Sequence, residues 1–198
     1  MTSTSQRSVP AMIASPTLMS ASELLTYDAR GRRTELVKGK LLVREPVGGA
    51  HAGVLFELTV AIGVYLRSTN AVAGRVLVGD PGFWLAHDPD TVRAPDLAFL
   101  SQERLKGGPI SEGFLKSVPD LAVEIRSPND RAGALLQKVG EWLDAGTPLV
   151  WVIDPIRTCA QAYHADGSVT LVGANEALHG APVLPGFVLP LASLWGDR

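Results

Sequence analysis

Residues 121–155 run LAVEIRSPNDRAGALLQKVGEWLDAGTPLVWVIDP, and their apolar pattern changes period twice. LAVEIR is a short apolar run halted by Pro128, which reads as a strand. Asp130 stands where it can cap a helix, and Leu135, Leu136, Val139, Trp142 and Leu143 are read on one face of that helix. Gly146 sits where a helix C′ glycine belongs. LVWVID is then a continuous apolar run, the pattern of a strand buried on both faces. Strand, helix and strand in this order describe a β-α-β crossover, which is usually parallel and right-handed.

One residue breaks the apolar rule. Side chains alternate along a strand, so Leu121, Val123 and Ile125 share one face, and Ala122, Glu124 and Arg126 the other. A carboxylate at Glu124 is costly to bury unless a cation, a proton or hydrogen bonds meet it. A second carboxylate, Asp96, lies upstream in RAPDLAFL. Pro95 fixes φ and withholds an N–H there, which suits the entry of a strand. Asp96, Glu124 and the Ile125 carbonyl would offer three oxygen ligands, a set that suits magnesium, or manganese in its place. A metal-bound water could then attack phosphorus.

Two cations stand near this set. Arg126 shares the Glu124 face, but arginine stays protonated and is a poor general base. Lys138 falls on the flank of the helix stripe, one turn from Leu135 and Trp142, and is expected to lean toward the sheet. Partial burial there would lower its pKa and let it orient or deprotonate a water. The residues alone leave structural readings open: Pro95-Asp96 as a turn, Glu124 paired with Arg126, and Lys138 as an exposed helix lysine.

Working outward, residues 1–17 are rich in Ser, Thr and Pro and read as a disordered tail, with one domain over 18–198. Ser20-x-x-Glu23 has capping-box spacing and opens a short helix to about Tyr27. ELVKGKLLV forms two strands around Lys38-Gly39. His51 to Arg67 repeats apolar residues at helical spacing. RVLVGD and GFWLA read as strands broken by Asp80-Pro81-Gly82, 101–118 as a loop, and CAQAYHADGSVTLV as a hairpin about Asp166-Gly167. LPGFVLPLASLW is expected to cross the sheet as an irregular end.

The totals exclude several classes. A hydrophobic share of 46% and a charged share of 19% are those of a globular protein. The net charge of −2 hides a local excess, with Arg30, Arg32, Arg33, Lys38, Lys40 and Arg44 facing only Glu35. Arg32, Arg33, Lys38 and Lys40 are therefore candidate nucleic-acid contacts. The single Cys159 excludes an internal disulfide and a cysteine metal cluster. No run is read as approaching the roughly 20 apolar residues of a membrane helix, and the start lacks a signal-peptide core, so a cytoplasmic location is expected. There is no phosphate loop and no nucleophile elbow. His87, His164 and His179 read as surface residues, and Trp84, Trp142, Trp151 and Trp195 as core.

The elements APD, VEIRSPND and QKVGEWLDAGTPLVWVIDP resemble the Uma-type restriction endonucleases, a branch of the PD-(D/E)XK nuclease superfamily. The resemblance extends over roughly residues 19–195, through ELVKGKLL, His51 on its helix and VLPGFVLPL. It implies an α/β fold with a mixed central sheet flanked by helices, an N-terminal helix and β-hairpins. It also implies a magnesium-dependent endonuclease acting on duplex DNA, with Asp96 and Glu124 as metal ligands. Arg126 occupies the usual lysine position of the superfamily motif, and Lys138 matches a lysine displaced onto the following helix. Glu35 matches an acidic position of the family near the first hairpin that would complete the site, and it is expected at the rim of the pocket. His51 matches a family histidine, with a capping or core role equally open. A homodimer is expected, because cutting both strands requires two sites. Two rivals remain: a nucleic-acid-binding protein on this fold that does not cleave, and a structural oligomer.

Overall fold

The computed structural model describes residues 18–69, 72–106, 110 and 112–196. The tail read over residues 1–17 lies outside them. The chain opens with α1 (Ala21–Leu25), whose N-cap Ser20 and Glu23 form the expected reciprocal capping box. Next come β1 (Arg33–Val37) and β2 (Lys40–Arg44), an antiparallel hairpin. Its turn needs positive φ at both Lys38 and Gly39, a geometry that glycine supplies without strain. β5 (Thr91–Arg93) joins the outer side of β1 and pairs in turn with β4 (Phe83–Ala86). This four-stranded sheet runs β2-β1-β5-β4.

The larger sheet has six strands. It contains β3 (Gly74–Val78), β6 (Leu97–Ser101), β7 (Leu121–Ile125), β8 (Leu149–Asp154), β9 (Cys159–His164) and β10 (Val169–Val172), in the order β10-β9-β8-β7-β6-β3. Only β7 and β8 are parallel, joined through α3 (Ala132–Asp144) as the crossover requires. The remaining neighbours are antiparallel, so the sheet is mixed, as expected.

Each face of this sheet is covered. Leu97, Phe99, Leu121, Val123, Trp151 and Ile153 pack on one side against Val54, Leu58 and Ile62 of α2 (Gly49–Ser68) and against the C-terminal segment. Ala98, Leu100, Ala122, Val150 and Val152 pack on the other side against Val139 and Trp142 of α3. Glu124 faces α3, as strand alternation dictates. α3 ends at Gly146, at φ 98°, where the Thr147 N–H returns to the Trp142 carbonyl at 3.1 Å.

Several expectations need correction. Asp130 does not cap α3: its carboxylate accepts the Ser127 N–H at 2.8 Å and closes a turn. The N-cap is Arg131, without a side-chain bond. Leu136 is 54% exposed, because it lies about 100° around the helix from Leu135 and off the buried stripe. Trp84 and Trp195 are only partly buried. The C-terminal segment crosses the sheet but is not irregular throughout. β11 (Ala177–His179) and β12 (Val188–Pro190) pair, and a 3-10 turn follows at Leu191–Leu194. Contrary to the expectation that no run approaches the length of a membrane helix, α2, at 20 residues, is long and apolar enough to cross a membrane by length and composition. One face of it packs on the sheet.

Candidate active site

The two sheets meet at a corner. The chain leaves β5 at Arg93, turns through Ala94-Pro95-Asp96 and enters β6 at Leu97. Here a cavity of about 390 Å³ is lined by Arg33, Glu35, Arg44, His51, Asp80, Asp96, Glu124, Ile125 and Lys138, with others. The candidates Asp96, Glu124, Lys138 and Glu35 are thus brought together from four different elements or their edges.

Lys138 is the hub. The residue is 6% exposed, and its Nζ donates to Glu35 Oε1 at 2.7 Å, Glu124 Oε2 at 2.8 Å and the Ala94 carbonyl at 2.8 Å. Three acceptors match the three donors of an ammonium. Burial alone would lower its pKa, but the adjacent Glu124 and Glu35 outweigh that and raise it. The expected downward shift is therefore reversed, and Lys138 is held as a cation.

The two glutamates differ. Burial works against the charge on Glu35, yet Lys138, Arg93 and Arg44 together hold its pKa down to about 2. It is not at the rim as expected but buried, with Arg93 Nη1 at 2.9 Å and the Ala94 N–H at 3.1 Å on its oxygens. Burial pushes Glu124 up to about 7 despite Lys138, with Asp96 and Glu35 adding like-charge repulsion. Its second oxygen, Oε1, accepts the Trp142 indole N–H at 2.9 Å.

Asp96 sits across the cavity from α3. Its Oδ2 accepts the Ile125 N–H at 2.6 Å, and its Oδ1 lies 3.1 Å from His51 Nε2 and 3.0 Å from Arg33 Nη2. Burial raises its pKa, but the contacts with His51 and the Ile125 amide prevail and lower it. His51, in the first turn of α2, is buried, and its Nδ1 has no partner among the described residues. Ile125 meets Asp96 through its amide and lines the cavity.

Other candidates fall elsewhere. Arg126 does not pair with Glu124; its Nη1 donates to Asp154 Oδ2 at 2.8 Å, at the end of β8. The basic excess around the first hairpin is divided. Arg33 turns inward to bridge Asp80 and Asp96, and Arg44 reaches Glu35 at 3.3 Å. Arg32, Lys38 and Lys40 remain exposed. Lys38 and Lys40 sit at the hairpin tip, roughly 16 Å along the strand from Arg33 at about 3.3 Å per residue.

Three participants were not anticipated. Arg93, buried between Glu35 and Glu141, carries the second cation of the Glu35 cluster. Glu141 is one turn beyond Lys138 on α3, a spacing that put it on the same face. Asp80 had been read only as a turn residue. Burial raises its pKa against the pull of Arg33, and it lines the cavity.

Comparison with known proteins bears on this geometry. The family model for Uma2, described as a putative restriction endonuclease, matches residues 21–192. The fold is similar to the crystal structure of a putative nuclease belonging to DUF820 from Anabaena variabilis ATCC 29413. The TM-score is 0.77 at 19% identity, over 89% of this chain and 97% of that one. No curated protein matches the chain.

Proposed function

Since this chain belongs to the Uma2 family of putative restriction endonucleases, we propose that it is a divalent-metal-dependent nuclease that hydrolyses DNA phosphodiester bonds in the Asp96–Glu124 cavity. The observation that carries this reading is a lysine buried between two glutamates in a cavity that also holds Asp96 and Asp80. A structural core would satisfy such charges more cheaply with apolar residues of the same volume.

The donor set fits a hard divalent cation. Among the described residues no three His, Cys, Asp or Glu side chains form a ready cage. Magnesium needs only one or two carboxylates and completes its shell with water. Asp96 and Glu124 would hold it, with the Ile125 backbone as a third oxygen source, and a cation there would offset the burial and the lesser like-charge repulsion that raise the Glu124 pKa. Bound there, magnesium or manganese supplies Lewis-acid stabilisation of the charge developing on a phosphate.

The chain's own residues do the rest. Glu35, Glu124 and the Ala94 carbonyl take the three donors of the Lys138 ammonium and fix it, Arg93 holds Glu35 in turn, and the fixed positive charge can stabilise negative charge developing on a phosphate oxygen. His51 and the Ile125 amide orient Asp96. Arg33 lines the cavity between Asp80 and Asp96 and offers a planar cation of the kind that suits a phosphate. A two-fold homodimer in the cytoplasm would present two such sites to a duplex.

A second reading has one observation in its favour. Both oxygens of Asp96 and of Glu124 already meet protein partners, as they would in a nucleic-acid-binding protein that does not cleave. Incubation with supercoiled plasmid, magnesium or manganese, and EDTA controls separates the two. Nicking by the wild type that is lost in Asp96→Asn supports the nuclease. Plasmid retention without any metal-dependent nicking supports the binding protein.

A further inference from the structure

The outer face of α2 points away from the cavity. His51, Val54, Leu58 and Ile62 turn inward, whereas Phe56, Val60 and Val64 are 63%, 43% and 59% exposed. At 3.6 residues per turn, positions 56, 60, 63, 64 and 67 fall within a stripe about 100° wide. Gly53 falls in the same stripe as Gly63, and a Cβ at either would meet nothing within 4 Å. Glycine inside a helix costs stability relative to alanine, and nothing among the described residues repays it at these positions. Glu57 and Arg67 are the only acid and base of the helix, and among the described residues neither is in an ion pair.

We propose that this face docks on the same face of a second copy of the chain, with the two helices antiparallel about a two-fold axis at the level of residue 62. The register makes the face self-complementary. Residues whose numbers sum to 124 lie opposite one another, so each Glu57 meets the Arg67 of the other copy, and each Val60 meets the other Val64. Gly63 lies beside the axis, where a missing Cβ lets the backbones approach. Every contact is made twice, as a closed isologous dimer requires. A membrane surface is the poorer occupant. The stripe has one basic residue and no tryptophan, whereas interfacial helices are rich in lysine and arginine on their polar face. The proposal deepens the homodimer reading by naming its surface, and it stands on α2 rather than on the nuclease site.

Sedimentation equilibrium on the full chain tests it, with far-UV circular dichroism as the check on folding. The wild type should sediment at twice its 21.0 kDa. Val60→Glu should weaken the dimer about 30-fold or more, the loss expected at the centre of an interface. Glu57→Arg and Arg67→Glu should each weaken it, and the double reversal should restore it. A dimer indifferent to Val60→Glu and to the charge exchange overturns the surface while leaving the homodimer standing. A wild type that is monomeric at every soluble concentration overturns both, as does a monomer that binds anionic vesicles through Phe56. The nuclease reading is judged separately, by metal-dependent nicking of supercoiled plasmid by the wild type, which a monomer can also perform.

Discussion

Replacing Glu124 with glutamine should change how stability depends on pH more than it changes stability itself. Glu124 has a folded pKa of about 7 against an ordinary value of 4.5, so the fold prefers its protonated form. A raised carboxyl pKa means that its favourable contribution is complete below pH 4.5 and is lost as pH rises through 7. The difference of 2.5 units corresponds to about 3 kcal/mol at about 1.36 kcal/mol per unit. Glutamine does not titrate, so the variant escapes that loss. A constant penalty opposes the gain. One amide group cannot accept from both the Trp142 indole and the Lys138 ammonium as the carboxylate does, which costs about 1–3 kcal/mol at all pH values. Lys138 keeps Glu35 and the Ala94 carbonyl.

Urea unfolding in EDTA, followed by tryptophan fluorescence at pH 5, 6, 7 and 8, measures the difference directly. The two proteins share every other titrating group, so subtracting their stabilities isolates position 124. The variant should gain on the wild type by roughly 2–3 kcal/mol across that range and approach or pass it at pH 8. Stabilities that run parallel from pH 5 to 8 would refute the burial argument, because Glu124 would then carry its charge without cost. Saturating magnesium at pH 8 should stabilise the wild type and not the variant, by about 2.7 kcal/mol when the ion stands at a hundred times its Kd.

What the sequence made legible follows from where local chemistry and tertiary position agree. The β-α-β unit was readable because its period changes at a proline and again at Gly146, and both changes are local. Lys138 was readable from helix angle alone: at about 60° from Leu135 it lies closer to the stripe than Leu136, at about 100°. Glu124 announced itself as a charge inside an apolar strand. β5 and β11 were hidden because a three-residue strand shows no period, and Pro190 in β12 reads as a break rather than a strand end. Arg93 was hidden for another reason. An arginine at a strand end ordinarily reaches solvent, and only the corner between two sheets, built from residues far apart in sequence, buries it against Glu35. The same corner explains the error at Lys138, because Glu124 is expected beside the lysine and Glu35 only at the rim, whereas both lie within hydrogen-bond distance of its ammonium.

The remaining predictions test that corner. Arg93→Met should destabilise the fold by about 3–5 kcal/mol in thermal unfolding, because it takes the close cation from the buried Glu35 Oε2 and from Glu141 at once; a loss within about 1 kcal/mol would mean that Lys138 and Arg44 suffice for Glu35. Acid should cost the wild type about 3 kcal/mol between pH 4.5 and 2, where the depressed Glu35 regains its proton, and Glu35→Gln should lack that component in urea titrations at those pH values. Lys138→Met should lose far more cleavage than Arg126→Ala in single-turnover reactions at saturating protein and metal, which separate the chemical step from binding. Lys138 touches Glu124 and faces the cavity, whereas Arg126 spends its guanidinium on Asp154 at the end of β8. Because Lys138 is held charged, its part is electrostatic, so Lys138→Arg should recover activity only as far as the bulkier guanidinium can be seated between the two glutamates. Equal losses from Lys138→Met and Arg126→Ala would place the chemistry outside this cluster, and a fully active Lys138→Met would leave the buried lysine a purely structural cation.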